Sequence, residues 1–176
     1  MLPFRDISKF ENVNDYLPIF NATLITDLLV IIIFFYLVPG RSLTLERWYQ
    51  EFRLSAVVAD VFIIVIGFIL ARYFYPMFFK SWDLKKFLML IVAIQVVHDF
   101  VFYLFFMAVP KESNYMVAMF KDYAKENGIK ALVADSCMMV VATLLASQLK
   151  NVSANSNIIL LVCLVYLVPY MVYIKQ

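Results

Sequence analysis

Five long stretches of mainly apolar residues limit what this chain can fold into more than any other feature. They cover residues 19–38, 54–73, 87–109, 129–149 and 157–174. A helix needs about 20 residues to cross the hydrocarbon core of a bilayer, and each stretch is close to that length or longer. The chain of 176 residues is 64% hydrophobic, more than a soluble domain of its length can bury. We therefore predict an all-α integral membrane helical bundle of about five transmembrane helices, with four as the alternative.

Polar residues separate these spans and define the other parts of the chain. Residues 1–18 form a polar N-terminal segment, expected at the membrane surface or against a partner, and residues 19–176 form a single transmembrane bundle. Residues 41–53 are interpreted as a short polar connector. Aromatic residues indicate a tight reversal at residues 76–83, and Arg72 lies near enough to the end of its span to extend its charge into the headgroups.

Residues 114–127 have a helical pattern that is too charged to cross a membrane. Apolar side chains recur at spacings of three and four residues, which places them on one helix face; they are Met116, Met119, Phe120 and Tyr123. Charged residues occupy the opposite face. We predict an amphipathic helix that lies flat on the membrane interface or docks on a soluble partner through this apolar stripe.

An acidic residue interrupts each of the first four spans. These residues are Asp27, Asp60, Asp99 and Asp135. An ionised carboxylate at the centre of a membrane helix costs about 2.5 to 3.5 kcal/mol, so it requires a partner, water or a proton. All four acids are therefore expected to face the interior of the bundle.

The third span carries the densest group of polar side chains. Gln95, His98 and Asp99 share one helix face, and Gln95 is the expected partner of Asp99. Asp60 and Asp135 each lie about 9 Å along spans that enter from the same side, so they are expected in one layer. The predicted intramembrane polar cluster consists of Asp27, Asp60, Gln95, His98, Asp99, Asp135 and Ser136.

Two functions are compatible with this cluster. It can form a path for protons or ions, or a polar girdle that fixes helix packing through hydrogen bonds. Catalysis is not predicted, because no pattern positions a Ser or Cys nucleophile. One histidine is too few for a zinc site, and Cys137 and Cys163 lie inside apolar runs, so no metal or other cofactor is expected. Basic residues are spread through the loops, so nothing indicates a nucleic-acid surface.

One acidic motif occurs twice in the chain. Residues 54–71 and 129–146 agree at several positions around Ala-Val-Val-Ala-Asp60 and Ala-Leu-Val-Ala-Asp135. Apolar positions agree often by chance in such a composition, so an internal repeat and a coincidence both stay open. A repeat would pair the second and third spans with the fourth and fifth.

Three segments together resemble a known group of proteins. They are VVHDFVFYLFF at residues 96–106, FKDYAKENG at residues 120–128 and ALVADSCMM at residues 131–139. They resemble small multi-span membrane proteins of nucleocytoplasmic large double-stranded DNA viruses, over about residues 54–176. The resemblance implies a virion inner-membrane or minor capsid-associated protein, located in the virion inner membrane or in the host membrane from which it derives. It carries over no catalytic residues.

The sequence thus predicts a structural, interaction-type membrane protein and no enzymatic activity. Its expected partners are the lipid bilayer and neighbouring membrane or capsid proteins, a homo-oligomer being one option. The polar N-terminus and the helix at residues 114–127 are the expected contact elements. The alternative is a small proton-coupled transporter or ion channel that uses the intramembrane acids.

Overall fold

Helices make up the fold throughout the described part of the chain. The structure is a computed structural model that describes residues 3–40 and 42–173, and within them it contains seven α-helices and no strand. The helices are α1 (Tyr16–Ile32), α2 (Leu43–Phe52), α3 (Leu54–Phe78), α4 (Leu84–Ala108), α5 (Tyr115–Asn127), α6 (Ile129–Leu149) and α7 (Ala154–Tyr173). Helices α3, α4, α6 and α7, and α1 with its flanking turns, are long and apolar enough to cross a membrane. This confirms the predicted all-α fold with five candidate spans.

Several boundaries differ from those predicted. The first span begins at Val13 and ends in a π-helical turn, Ile33–Leu37, that continues α1, while the third and fifth spans begin three residues earlier than predicted, at Leu84 and Ala154. Helix α3 passes through Pro76 and ends at Phe78, where the backbone N–H of Phe79 bonds to the Tyr75 carbonyl at 2.9 Å and closes the last turn. The predicted reversal is therefore shorter than residues 76–83.

The interpretation of residues 41–53 as a polar connector is wrong, because most of this segment is helix α2. Ser42 caps the helix by accepting a hydrogen bond from the backbone N–H of Leu45 at 3.3 Å. Its apolar side buries Trp48 and Tyr49 against the spans. A helix this short is marginal in water, so its stability depends on that burial.

The chain uses one arrangement twice: a span that contains an acid, an amphipathic helix, and a second span that contains an acid. The first copy is α1, α2 and α3, and the second copy is α4, α5 and α6. Helix α7 lies outside the repeat. The helix order favours this arrangement over the expected pairing of the second and third spans with the fourth and fifth, because it also gives α2 a counterpart in α5.

The turn from amphipathic helix to span has the same backbone geometry in both copies. A single residue makes each turn: Arg53 at φ 49° and ψ −118°, and Gly128 at φ 48° and ψ −124°. A positive φ suits glycine, whereas an arginine in this region costs about 1 to 3 kcal/mol. Arg53 stays there with its guanidinium 5.1 Å from the centre of the Tyr173 ring.

Short sequence features recur in the same order along the two copies. Each first span contains an acid, Asp27 or Asp99. The motif Val-Pro-x-x-Ser then precedes each amphipathic helix, at residues 38–42 and 109–113. Each second span then contains an Ala-Asp pair, which ends at Asp60 or Asp135. The agreement of these features with the helix order supports an internal repeat over coincidence.

Contacts between the copies are reciprocal. The first span of each copy packs against the second span of the other copy: α1 packs against α6, and α4 packs against α3. The two amphipathic helices, α2 and α5, also contact each other. Reciprocal contacts of this kind are expected of two units related by a two-fold axis. Because each copy contains two candidate spans, the two copies begin at the same end of the bundle, which makes the repeat parallel.

One end of the bundle is closely packed. Small residues of α6, Ala142 and Ala146, let α1 approach closely around Ile19 and Ala22, and all four side chains are fully buried. On α7, Asn157 accepts a hydrogen bond from the Asn21 amide through its main-chain carbonyl at 2.8 Å. We call this half of the bundle the closed end.

The N-terminal segment covers the closed end instead of lying free on the membrane. The expectation that Arg72 reaches the headgroups is wrong: its side chain is 0% exposed. Its guanidinium donates to the carbonyl oxygens of Lys9 and, at 2.7 Å, Asn12, and lies 3.5 Å from the Asp15 carboxylate. Lys150 forms a second ion pair with Asp15 at 2.6 Å. An arginine surrounded by apolar helices needs such acceptors, and the folded-back segment supplies them.

We expect Arg72→Leu to release the N-terminal segment. The change leaves the carbonyl oxygens of Lys9 and Asn12 without this donor and removes one of the two cations paired with Asp15, a class of change that costs about 3 to 5 kcal/mol. Trypsin digestion in detergent micelles should then cut after Lys9 faster than in the wild type. Lys80→Leu, which removes an exposed cation near the same end of α3, should leave the cleavage rate unchanged. Equal cleavage of the Arg72→Leu variant and the wild type would contradict this role of Arg72.

Candidate functional site

A large cavity occupies the half of the bundle opposite the closed end. Helix α6 buries side chains only from Met139 onward, so its first part stands away from the other spans. The space left has a volume of about 1370 Å³ and is lined by both copies, mainly by apolar and aromatic side chains. Leu29, Phe100 and Tyr103 on its wall are exposed by 41%, 62% and 48%, so the cavity is open at its edge.

The structure brings five of the seven predicted cluster residues to this cavity. Its wall contains Asp60, Gln95, His98, Asp99 and Asp135. Asp27 is buried behind the wall. Ser136 faces a separate shallow groove between α4 and α6, and its hydroxyl donates to the Leu132 carbonyl of its own helix at 2.8 Å.

One hydroxyl group joins the two acids of the first copy. Tyr49 Oη lies 2.7 Å from Asp27 Oδ1 and 2.9 Å from Asp60 Oδ2. Trp48 Nε1 donates to the same oxygen of Asp60 at 2.9 Å. Burial raises the pKa of Tyr49 well above its ordinary value, and the two acids raise it further, so the phenol keeps its proton.

The number of available protons decides how this chain of contacts is arranged. A phenol has one proton, so Tyr49 donates to one acid and accepts from the other. The surroundings of Asp60 favour an ionised carboxylate, because it then accepts hydrogen bonds from both Tyr49 and Trp48. Asp27 is fully buried, and its second oxygen has no hydrogen-bond partner among the described residues. We therefore assign the proton to Asp27 and the charge to Asp60.

The acids of the second copy have fewer partners. Gln95 Nε2 donates to Asp99 Oδ1 at 2.7 Å, which confirms the predicted pair, and His98 Nδ1 lies 3.1 Å from the same oxygen. Asp99 Oδ2 is buried without a partner, and the half-buried Asp135 carboxyl group lies on the cavity wall. The second copy thus presents hydrogen-bonding capacity to the cavity that the described residues leave unused.

The predicted docking stripe of α5 lies against the protein's own bundle. Met119 is 2% exposed, and the Phe120 ring stacks on Phe106 at a centroid distance of 4.7 Å. Met116 and Tyr123 line the same cavity. These side chains are occupied within the chain, so a partner that binds α5 would have to contact its charged face.

Helices α2 and α5 are fastened to each other beside the cavity. The Glu126 carboxylate accepts from the backbone N–H groups of Leu43 at 2.8 Å and Thr44 at 3.0 Å, at the start of α2. The Asn127 amide donates to Ser42 Oγ and Thr44 Oγ1, each at 3.1 Å. Burial raises the pKa of Glu126, but the hydrogen bonds from α2 outweigh burial and leave this pKa below its ordinary value.

Tyr49 and Trp48 belong to the site but were not predicted, because residues 41–53 were interpreted as a connector. A helical apolar stripe in residues 43–52 was the signal that could have identified them. Within the described residues, no group of three or more His, Cys, Asp or Glu side chains is arranged to hold a metal ion.

We expect Asp27→Asn to keep the fold and Asp60→Asn to destabilise it. An amide at position 27 can donate to Tyr49 as a protonated acid does, whereas an amide at position 60 loses a charged acceptor of two hydrogen bonds, worth about 1 to 3 kcal/mol. Thermal unfolding in detergent micelles measures both effects. The infrared spectrum should lose one protonated-carboxyl band in Asp27→Asn and keep all such bands in Asp60→Asn. The opposite order would show that Asp60 carries the proton.

Comparison with protein-family models, with curated proteins and with solved structures found no match to this chain. The resemblance to viral membrane proteins over residues 54–176 therefore stays a prediction from the sequence.

Proposed function

We propose that this protein is a small proton-coupled transporter whose substrate binds in the cavity between the two copies. The observation that carries the proposal is the cavity itself, about 1370 Å³ in volume with Asp60, Asp99 and Asp135 on its wall. A bundle that serves only to hold its helices together gains nothing from such a space, because unfilled volume removes packing contacts.

The difference between the two halves of the bundle supports this proposal. The closed end is filled by small and apolar residues and covered by the N-terminal segment, whereas the other half is open at its edge. A carrier in either of its two end states exposes its binding site to one side of the membrane only. A bundle with one closed half and one open half is compatible with such a state.

The repeat supports the same proposal. Transporters are often built from two repeated units with the binding site where the units meet. Here Asp60 belongs to the first copy, while Asp99 and Asp135 belong to the second. Acids at this depth can take up and release protons as a neighbouring charge arrives or leaves, which is the coupling that proton-driven transport requires.

Proton flux into liposomes tests the proposal. Purified protein should dissipate an imposed pH gradient, followed with an entrapped pH-sensitive dye, faster than protein-free liposomes. Asp99→Asn and Asp135→Asn should each reduce the flux to the protein-free level, because an amide cannot exchange a proton in this range.

Glu112→Gln is the matched control, since it makes the same chemical change at an exposed position outside the cavity. It should transport as the wild type does. Liposomes that stay tight at every pH and with every substrate class offered would overturn the transporter proposal.

A structural role in a viral inner membrane is the second candidate, and the N-terminal segment favours it. This segment holds its backbone against the bundle but exposes the apolar side chains of Phe4 by 37% and Val13 by 72%. Anchored apolar side chains on a polar surface are what a neighbouring protein can contact.

Incorporation into an assembly tests this second candidate. Phe4→Ser with Val13→Ser should lower the amount of protein in purified virions or isolated membrane assemblies while leaving thermal unfolding unchanged. Leu43→Ser, which alters an exposed apolar residue on α2, serves as the control. Unchanged incorporation of the double variant would count against a structural role for the N-terminal segment.

A further inference from the structure

The cavity combines two features that belong to one class of ligand. One feature is its unpaired negative charge, and the other is a wall of aromatic rings beside that charge. Neither feature identifies a ligand alone, whereas the two together do.

The charge balance of the cavity is negative. Asp60 is supplied with donors from Trp48 and Tyr49, whereas Asp99 keeps one oxygen unpaired and Asp135 lies half-buried on the same wall. Burial raises the pKa of Tyr123 well above its ordinary value, and Asp135, Asp60 and Asp99 raise it further.

The cations on the cavity wall do not neutralise these acids. Lys121 lies on α5 and Lys130 at the start of α6, about 7.5 Å along the helix from Asp135. Neither lysine forms an ion pair with Asp99 or Asp135, and His98 contacts only the Asp99 oxygen that Gln95 already occupies. Carboxyl groups on a mainly apolar cavity wall are costly to ionise when no lysine pairs with them, so the site favours an added positive charge.

Aromatic rings continue from the acids along α4 and α5. The His98 ring stacks on Phe102 at 5.2 Å, Phe102 meets Phe106 at 4.4 Å, and Phe106 stacks on Phe120 at 4.7 Å. Aromatic faces attract organic cations by cation–π interaction and also bind apolar groups. The cavity volume of about 1370 Å³ exceeds the roughly 300 to 1,000 Å³ of ordinary ligand pockets.

We propose that the cavity binds a monovalent organic cation with a bulky apolar body, its charge beside Asp99 and Asp135 and its body against Phe102, Phe106 and Phe120. This inference rests on the proposed transport function and names its substrate class. The cation competes with a proton for this pair of acids: binding of one monovalent cation displaces one proton from the Asp99 and Asp135 pair, so one cation that enters is balanced by one proton that leaves.

Tetraphenylphosphonium and tetraphenylborate form a matched pair of probes, since they share size, shape and apolar surface and differ in the sign of their charge. Binding to purified protein in non-ionic detergent is measured by equilibrium dialysis, with empty micelles subtracted. Tetraphenylphosphonium should bind and tetraphenylborate should not. Equal binding of both ions, or no binding of either, would overturn the inference.

Substitutions then locate the site. Asp99→Asn and Asp135→Asn should each weaken tetraphenylphosphonium binding about tenfold, the effect of losing one attractive charge at short range in a partly screened site. Asp99→Glu keeps the charge and should retain binding, which separates loss of charge from loss of fold. Glu112→Gln should bind as the wild type does. Wild-type affinity in both Asn variants would overturn the assignment of the charge to these two acids.

The two proposals fail in different ways. If tetraphenylphosphonium binds through Asp99 and Asp135 but neither it nor protons cross liposomes, the transport function fails and the ligand class stands. If proton flux depends on the two acids but both probes bind equally, the ligand class fails and the transport function stands.

Discussion

Charged side chains surrounded by apolar helices need partners, and this requirement organises both halves of the protein. At the closed end, Arg72 is supplied with carbonyl oxygens by an N-terminal segment that folds back over the bundle. At the open end, Tyr49 and Trp48 supply Asp60 from outside the membrane spans. The partners come from polar segments that flank the spans, so the short connecting parts of this chain are as important for the fold as the spans.

The repeat shows how one arrangement serves two purposes. Both copies place an acid in each span and an amphipathic helix between them, joined to the second span by a single residue of positive φ. In the first copy the acids are linked through Tyr49, whereas in the second copy Asp99 and Asp135 face an open cavity. The first copy thus stabilises the bundle, and the second provides the groups that carry the proposed function.

Helices α2 and α5 connect these two roles. Glu126 and Asn127 bind the start of α2, and the buried faces of both helices line the cavity. A change in the position of one amphipathic helix would therefore move the other, together with the aromatic wall around Phe120. Each of these helices is joined to the following span by a single residue of positive φ, Arg53 or Gly128.

Run length and composition were enough to predict the helical fold, the five spans and the inward position of the acids, because the cost of polar groups in a bilayer acts on each span separately. The Gln95–Asp99 pair was also predictable, since both residues belong to one helix. The partners of Arg72, Asp27 and Asp60 were not, because Lys9, Asn12 and Tyr49 come from other segments, and pairing across segments depends on how the helices pack. The cavity likewise arises only in the tertiary structure. It is the space between the first part of α6 and the neighbouring helices, and the distance between helices cannot be read from the sequence of a single span.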